Sequence, residues 1–189
     1  GIIEGLQAYT NVTEIPGEVD LAIIVVNAKF VLSTIDQCHE KGIKGLCIIT
    51  AGFKETGKEG AEAEKQLLAK VREYGMRCVG PNCLGVVNTH PDIRMDGCFA
   101  ESLPERGNIG FVSQSGALGG GILNILKDLN LGFAQFISIG NQADVNAETA
   151  LEYWEDEKDV EQILLYMESI QNPANFRKLA SRISKKKPI

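Results

Sequence analysis

The feature that most restricts the fold is the alternation of continuous apolar runs with segments of helical period. Residues 19–26 (VDLAIIVV) form an almost unbroken β-branched run, the composition of a strand buried on both faces. Apolar residues at 31, 32 and 35 predict a helix over 30–41 that stops at Gly42. KGLCIIT (44–50) reads as the next buried strand, 59–74 as a charged helix ending at Gly75, and 76–79 as a third short strand. A β-α-β-α-β succession specifies a parallel sheet with helices on both faces.

The rhythm stops at Gly80. Residues 80–107 show no helical period but hold three prolines (81, 91 and 104) and several Gly and Asn residues. A stretch of that length without elements is improbable inside one compact domain, so it reads as an inter-domain connection or a functional loop. Strands are then predicted over 108–112, 133–139 and 160–167, and helices over 115–129, 146–156 and 173–185. Asn146 opens its helix, with Glu148 and Glu152 in the first turns. The chain is therefore α/β, with two parallel-sheet units placed at 1–100 and 101–189. Three strands make a small sheet to stand alone, and KKKPI (185–189) stops where another strand would begin. The sequence reads as a piece with more chain on both sides.

Composition excludes several classes. Nineteen basic residues against twenty-five acidic ones give a net charge of −6, which argues against nucleic acid or an anionic membrane as the main partner. No apolar run approaches the about 18 residues needed to span a bilayer, and GIIEG at the start lacks the features of a signal peptide. The five cysteines form neither a CxxC motif nor a disulfide framework, so a cytoplasmic location is expected. Two histidines far apart, His39 and His90, do not suggest a metal site, and none is expected.

In open α/β sheets ligands gather beyond the C-terminal strand ends. FVSQSGAL (111–118) places two serines and a glycine between a strand and a helix start. Backbone N–H groups and the helix dipole would converge there on an anion; alternatively Ser113 or Ser115 is simply an N-cap. Gly119, Gly120 and Gly121 weaken the helix that follows, which the close approach of another element or a ligand would justify. SIGNQAD (138–144) is a second strand-end turn. Glu168 closes an apolar strand, where it could orient a histidine or be a rim residue. In the first unit the strand-end loops are Val26–Phe30, Thr50–Phe53 and GPNCLG (80–85), a groove suited to a nucleotide-like ligand. Neither histidine is close to Cys83 in sequence, which argues against a catalytic thiol.

Taken together, GPNCLG (80–85), SQSGALG (113–119), SIGNQAD (138–144) and LLYMESI (164–170) resemble the α-subunit-type half of the nucleotide-diphosphate-forming acyl-CoA synthetases. These include the ADP-forming acetyl-CoA synthetases and, more distantly, the succinyl-CoA synthetase α subunit. The resemblance covers essentially the whole chain. It implies part of a Rossmann-like CoA-binding domain followed by a flavodoxin-like domain, and a reversible ligase converting acid, CoA and ATP into acyl-CoA, ADP and phosphate through a phosphohistidine. It assigns CoA to Val26, Ala28, Lys29, Phe30, Thr50, Ala51, Gly52, Asn82 and Cys83. It assigns the phosphoryl group to Ser113, Gln114, Ser115, Gly116, Ala117, Gly140 and Asn141, and support of the phosphohistidine to Glu168. ATP or ADP with Mg²⁺ belongs to an ATP-grasp β subunit or fused domain, the other substrate being a small organic acid or its acyl-CoA, in a homo- or hetero-oligomer.

The sequence departs from that family in three places. The Gly-rich CoA-phosphate loop is expected before residue 1 and the phosphohistidine beyond Ile189, since neither His39 nor His90 matches it. Asn27 stands where the family usually has a proline. Little or no turnover is therefore expected of the 189 residues alone. A rival of another class is a non-catalytic CoA- or acyl-CoA-sensing module of a protein acetyltransferase. A dinucleotide-binding domain is disfavoured, because no GxGxxG follows a strand.

Overall fold

The computed structural model describes residues 1–100, 105–129 and 131–189. The expected boundary at 100/101 and Pro104 fall at or within a segment outside the described residues.

A short antiparallel hairpin, β1 (Ile2–Ile3) and β2 (Leu6–Gln7), opens the chain. β3 (Leu21–Ile24), β4 (Gly45–Ile48) and β5 (Arg77–Val79) follow as a three-stranded parallel sheet in the order β3-β4-β5. Helix α1 (Ala28–Lys41) links the first two strands and α2 (Lys58–Glu73) the second two. α1 starts earlier than its apolar spacing indicates, because the Asn27 side chain accepts from Lys29 N–H at 3.2 Å and caps it. It ends as expected on Gly42, in the left-handed conformation (φ 88°). Ile24, Ile35, Leu46, Ile48, Leu67 and Val71 form the core between sheet and helices.

The stretch 80–107 differs from its expected form. It contains an antiparallel pair, β6 (Gly85–Asn88) and β7 (Met95–Cys98). β6 also pairs antiparallel with β9 (Phe133–Ser138), so the hairpin extends a second sheet. That sheet has the order β10-β8-β9-β6-β7, with β8 (Arg106–Ser113) parallel to both β9 and β10 (Gln162–Tyr166). It is mixed rather than all-parallel. The missed strands are only four residues each, and β7 (MDGC) is mostly partly exposed, so neither makes a continuous apolar run.

Helix α3 (Gly116–Asp128) follows β8, α4 (Ala147–Trp154) follows β9, and α5 (Pro173–Ile183) follows β10. Asn146 caps α4 by accepting from Thr149 N–H at 2.9 Å, as its position predicts. One core packs Leu151, Trp154 and Ile163 with α5, and another packs Phe111, Phe133 and Phe136 against Leu123. A smaller cluster of Cys47, Cys83 and Val86 sits between the two sheets. It fastens β4 to β6 and brings the strand-end loops of both units together.

Candidate functional site

The strand-end loops of the first sheet are tied to one another. Thr50 donates from Oγ1 to the carbonyl of Val26 at 2.7 Å, and Asn82 N–H donates to the Thr50 carbonyl at 3.0 Å. The Lys29 ammonium lies 4.8 Å from the centre of the exposed Phe30 ring.

From the second sheet, the start of α3 approaches these loops. Ser115 Oγ accepts from Leu118 N–H at 3.3 Å, satisfying one of the four N–H groups that a helix start leaves without an intrahelical partner. Ser113 is fully buried and donates from Oγ to the Ser115 carbonyl at 2.7 Å, which fixes the turn from below. Gly119 explains part of the glycine run: a Cβ there would lie 3.1 Å from Phe136 Cζ and 3.2 Å from Ser113 Cβ. Gly120 faces the cleft, whereas a Cβ at Gly121 would meet nothing within 4 Å among the described residues.

Between the two lies a cleft of about 750 Å³. Ala51, Asn82 and Cys83 line one side and Gln114, Ser115, Gly116 and Ala117 the other, with Glu168 at the end of β10 and Ile49, Leu84 and Phe99 adding apolar surface. Eight of the sequence-predicted residues thus meet at one cavity. Val26, Ala28, Lys29, Phe30, Thr50 and Gly52 share the same sheet edge but do not line it. Ser113, Gly140 and Asn141 lie behind its wall.

Gln114 does more than face the cleft. Its Oε1 accepts from Glu168 N–H at 2.8 Å and Ser169 N–H at 3.0 Å, and its Nε2 donates to Ser169 Oγ at 3.1 Å. Asn141 is 6% exposed, and its amide donates to Glu55 Oε2 at 2.6 Å and Glu64 Oε2 at 2.8 Å. Burial works to raise the Glu55 pKa, but hydrogen bonds from Asn141, Gly52 and Phe53 outweigh it and hold the carboxyl below the usual range. The Cys83 thiol is pushed up by the neighbouring Cys47 thiol, 3.9 Å away, and by burial. It is therefore kept neutral and unreactive.

Sequence reasoning missed Glu55 and Glu64, and gave Gln142 and Ser169 only as members of their motifs. Gln142 Nε2 donates to Ser169 Oγ at 3.1 Å, joining the turn after β9 to the loop after β10. Among the described residues, no group of three or more His, Cys, Asp or Glu side chains could hold a metal ion, and no helix is long and apolar enough to cross a membrane.

Residues 1–89 match the CoA binding domain and residues 106–189 the succinyl-CoA ligase like flavodoxin domain. The α subunit of acetate–CoA ligase [ADP-forming] II from Pyrococcus furiosus is 48% identical over 187 residues, covering 99% of this chain and 40% of that protein. The chain belongs to the ADP-forming acyl-CoA synthetase family. It corresponds to the family's α-subunit-type region. A crystal structure from Pyrococcus horikoshii OT3 superposes with a TM-score of 0.94 at 47% identity, covering 99% of this chain and 42% of that one. The dinucleotide forming acetyl-coenzyme A synthetase 1 of Ca. Korarchaeum cryptofilum, in complex with phosphate and ADP, gives a TM-score of 0.90 at 36% identity, covering 100% of this chain and 40% of that one. The chain thus spans about two-fifths of the length of these relatives.

Proposed function

We propose that this chain supplies the CoA-binding and phosphoryl-binding surfaces of an ADP-forming acid–CoA ligase. The reaction interconverts acid, CoA and ATP with acyl-CoA, ADP and phosphate. The observation that carries the reading is the single cleft, which sets the loops of the CoA-binding unit against the start of α3 and Glu168. A thiol ester forms only where the CoA sulfur and an activated acyl group meet. A cleft with one wall from each unit supplies that meeting place.

In this reading residues 1–100 are the CoA-binding unit and 101–189 the ligase unit, with the 85–98 hairpin of the former hydrogen-bonded into the sheet of the latter. Ala51, Asn82 and Cys83 face the CoA end, and Val26–Phe30 with Thr50 and Gly52 extend that surface along the sheet edge. Lys29 is positioned there to pair with a CoA phosphate. The N–H groups of Gly116 and Ala117, the Ser115 hydroxyl and the α3 dipole stabilise developing phosphoryl charge. Ser113 shapes that wall from behind, and Gly140 and Asn141 back the opposite wall at Pro81 and Asn82. Glu168, held in place by Gln114 through its own backbone N–H, orients the histidine that carries the phosphoryl group. ATP or ADP and Mg²⁺ bind on an ATP-grasp partner, subunit or fused domain, within a homo- or hetero-oligomer. The five free cysteines support a reducing, cytoplasmic compartment.

The test is acid- and ATP-dependent consumption of CoA by the full protein together with its ATP-grasp partner. ADP formed in step with acyl-CoA supports the ligase. CoA binding without turnover would point instead to a sensing module, and absence of CoA binding would overturn both.

A further inference from the structure

The turn after β9 is anchored to the first unit by Asn141, a few residues before Asp144 accepts from Arg77 Nε at 2.7 Å and Cys78 N–H at 2.9 Å. Asn141 donates its two Nδ2–H groups to Glu55 and Glu64, and its Oδ1 accepts from Asn82 Nδ2 at 3.3 Å. Its backbone N–H donates to the Pro81 carbonyl at 2.9 Å, and its carbonyl accepts from Lys54 Nζ. Gly140 is needed for this approach. It has φ 51°, and a Cβ there would lie 2.3 Å from the Asn82 carbonyl oxygen. Glu55 passes the connection onward: its Oε1 accepts from the N–H groups of Gly52 and Phe53 in the loop after β4. Glu64 accepts from Lys54 N–H at 3.3 Å and pairs with the Lys54 ammonium at 3.5 Å.

A carboxamide has two N–H donors, and both are given to carboxylates here. None is left for a phosphoryl group. We infer that Asn141 is a positioning residue, setting the loop at 50–53 through Glu55, and the loop at 80–82 through Asn82, against the phosphoryl-side turn at 138–142. The inference rests on the cleft reading above for what those loops bind, while the mechanical link itself does not depend on it. Two carboxylates converging on one amide make the link sensitive to polarity: any group at 141 that accepts where Asn donates meets negative charge at hydrogen-bond distance.

The test exchanges the two partners in the full protein. Asn141→Asp replaces the donor by a carboxylate between two others. Glu55→Gln keeps a carbonyl for Gly52 and Phe53 but turns an NH₂ toward the Asn141 NH₂. Each single variant should weaken CoA binding in titration calorimetry by about ten-fold or more, the scale of an unsatisfied buried polar contact. The double variant again sets a donor against an acceptor between 55 and 141, while Glu64 still faces the new carboxylate, so its affinity should recover to well above that of Asn141→Asp alone. Hydrogen exchange at Gly52 and Phe53 should follow the same pattern, faster in the singles and slower in the double than in Asn141→Asp. Singles that match the wild type in both measurements overturn the inference, as does a double variant that binds no better than Asn141→Asp alone. If the wild type itself fails to bind CoA, the cleft reading falls, and exchange at 50–53 alone decides the link. Should Asn141→Asp fail to fold, Glu55→Gln decides it, since unchanged exchange at both 50–53 and 138–142 overturns the inference.

Discussion

Gln114 accepts from two consecutive backbone N–H groups, those of Glu168 at 2.8 Å and Ser169 at 3.0 Å. The end of β8 thereby holds the end of β10, and the residue beside the helix start fixes the carboxylate facing the same cleft. Gln114→Ala removes that bracket without touching the first unit. We expect phosphoenzyme formation by the full ligase to fall by about ten-fold or more, with CoA affinity changed less than about two-fold, as for distant, independent sites. Equal loss of both would mean that Gln114 supports the whole cleft.

Glu168→Gln should abolish phosphoenzyme formation while leaving CoA binding nearly intact, because it removes charge from the phosphoryl end alone. Radiolabelled phosphate incorporation and CoA titration on one preparation check both halves. Parallel loss of the two would show Glu168 to be structural.

The glycine run of α3 separates packing from tolerance. Gly121→Ala adds a methyl where nothing among the described residues lies within 4 Å, and should stabilise by about 0.5–1 kcal/mol through helix propensity. Gly119→Ala drives a methyl toward Phe136 and Ser113, and should cost about 1–3 kcal/mol. Urea midpoints of the two variants should therefore move in opposite directions; a common direction would contradict the packing seen at Gly119.

Most of the regular elements were legible in the sequence because their residues obey one period and one burial. β4 and β9 are nearly continuous apolar runs with buried side chains, and Gly42 and Asn146 mark helix ends by their own chemistry. The 85–98 hairpin was not legible. Its pairing partner β9 lies about fifty residues on, and β7 places Asp96 on an exposed position. The motifs identified Ser115–Ala117 and Glu168 as neighbours. They could not reveal that Asn141 is enclosed by Glu55 and Glu64, 86 and 77 residues away, since Glu64 in KEGAEAEK reads as one more surface charge of a helix.

Glu55 gives the fold a pH signature. Its folded pKa lies below the usual carboxyl value, so its contribution is fully present above the unfolded value of about 4.3 and is lost as pH falls through the folded one. The stability difference between the wild type and Glu55→Gln should hold steady from neutral pH down to about 5 and shrink at more acid values. Urea midpoints over that range measure it. A difference that persists unchanged in acid would mean that the Glu55 charge is not what secures the loop.

In the proposed function one cleft between the two units receives CoA. Hydrogen exchange of the purified protein with and without CoA tests it most directly. Bound CoA should slow exchange together in peptides spanning 50–53, 80–85 and 114–118, drawn from both walls. Slowing confined to one wall, or lying outside all three segments, would contradict a shared cleft.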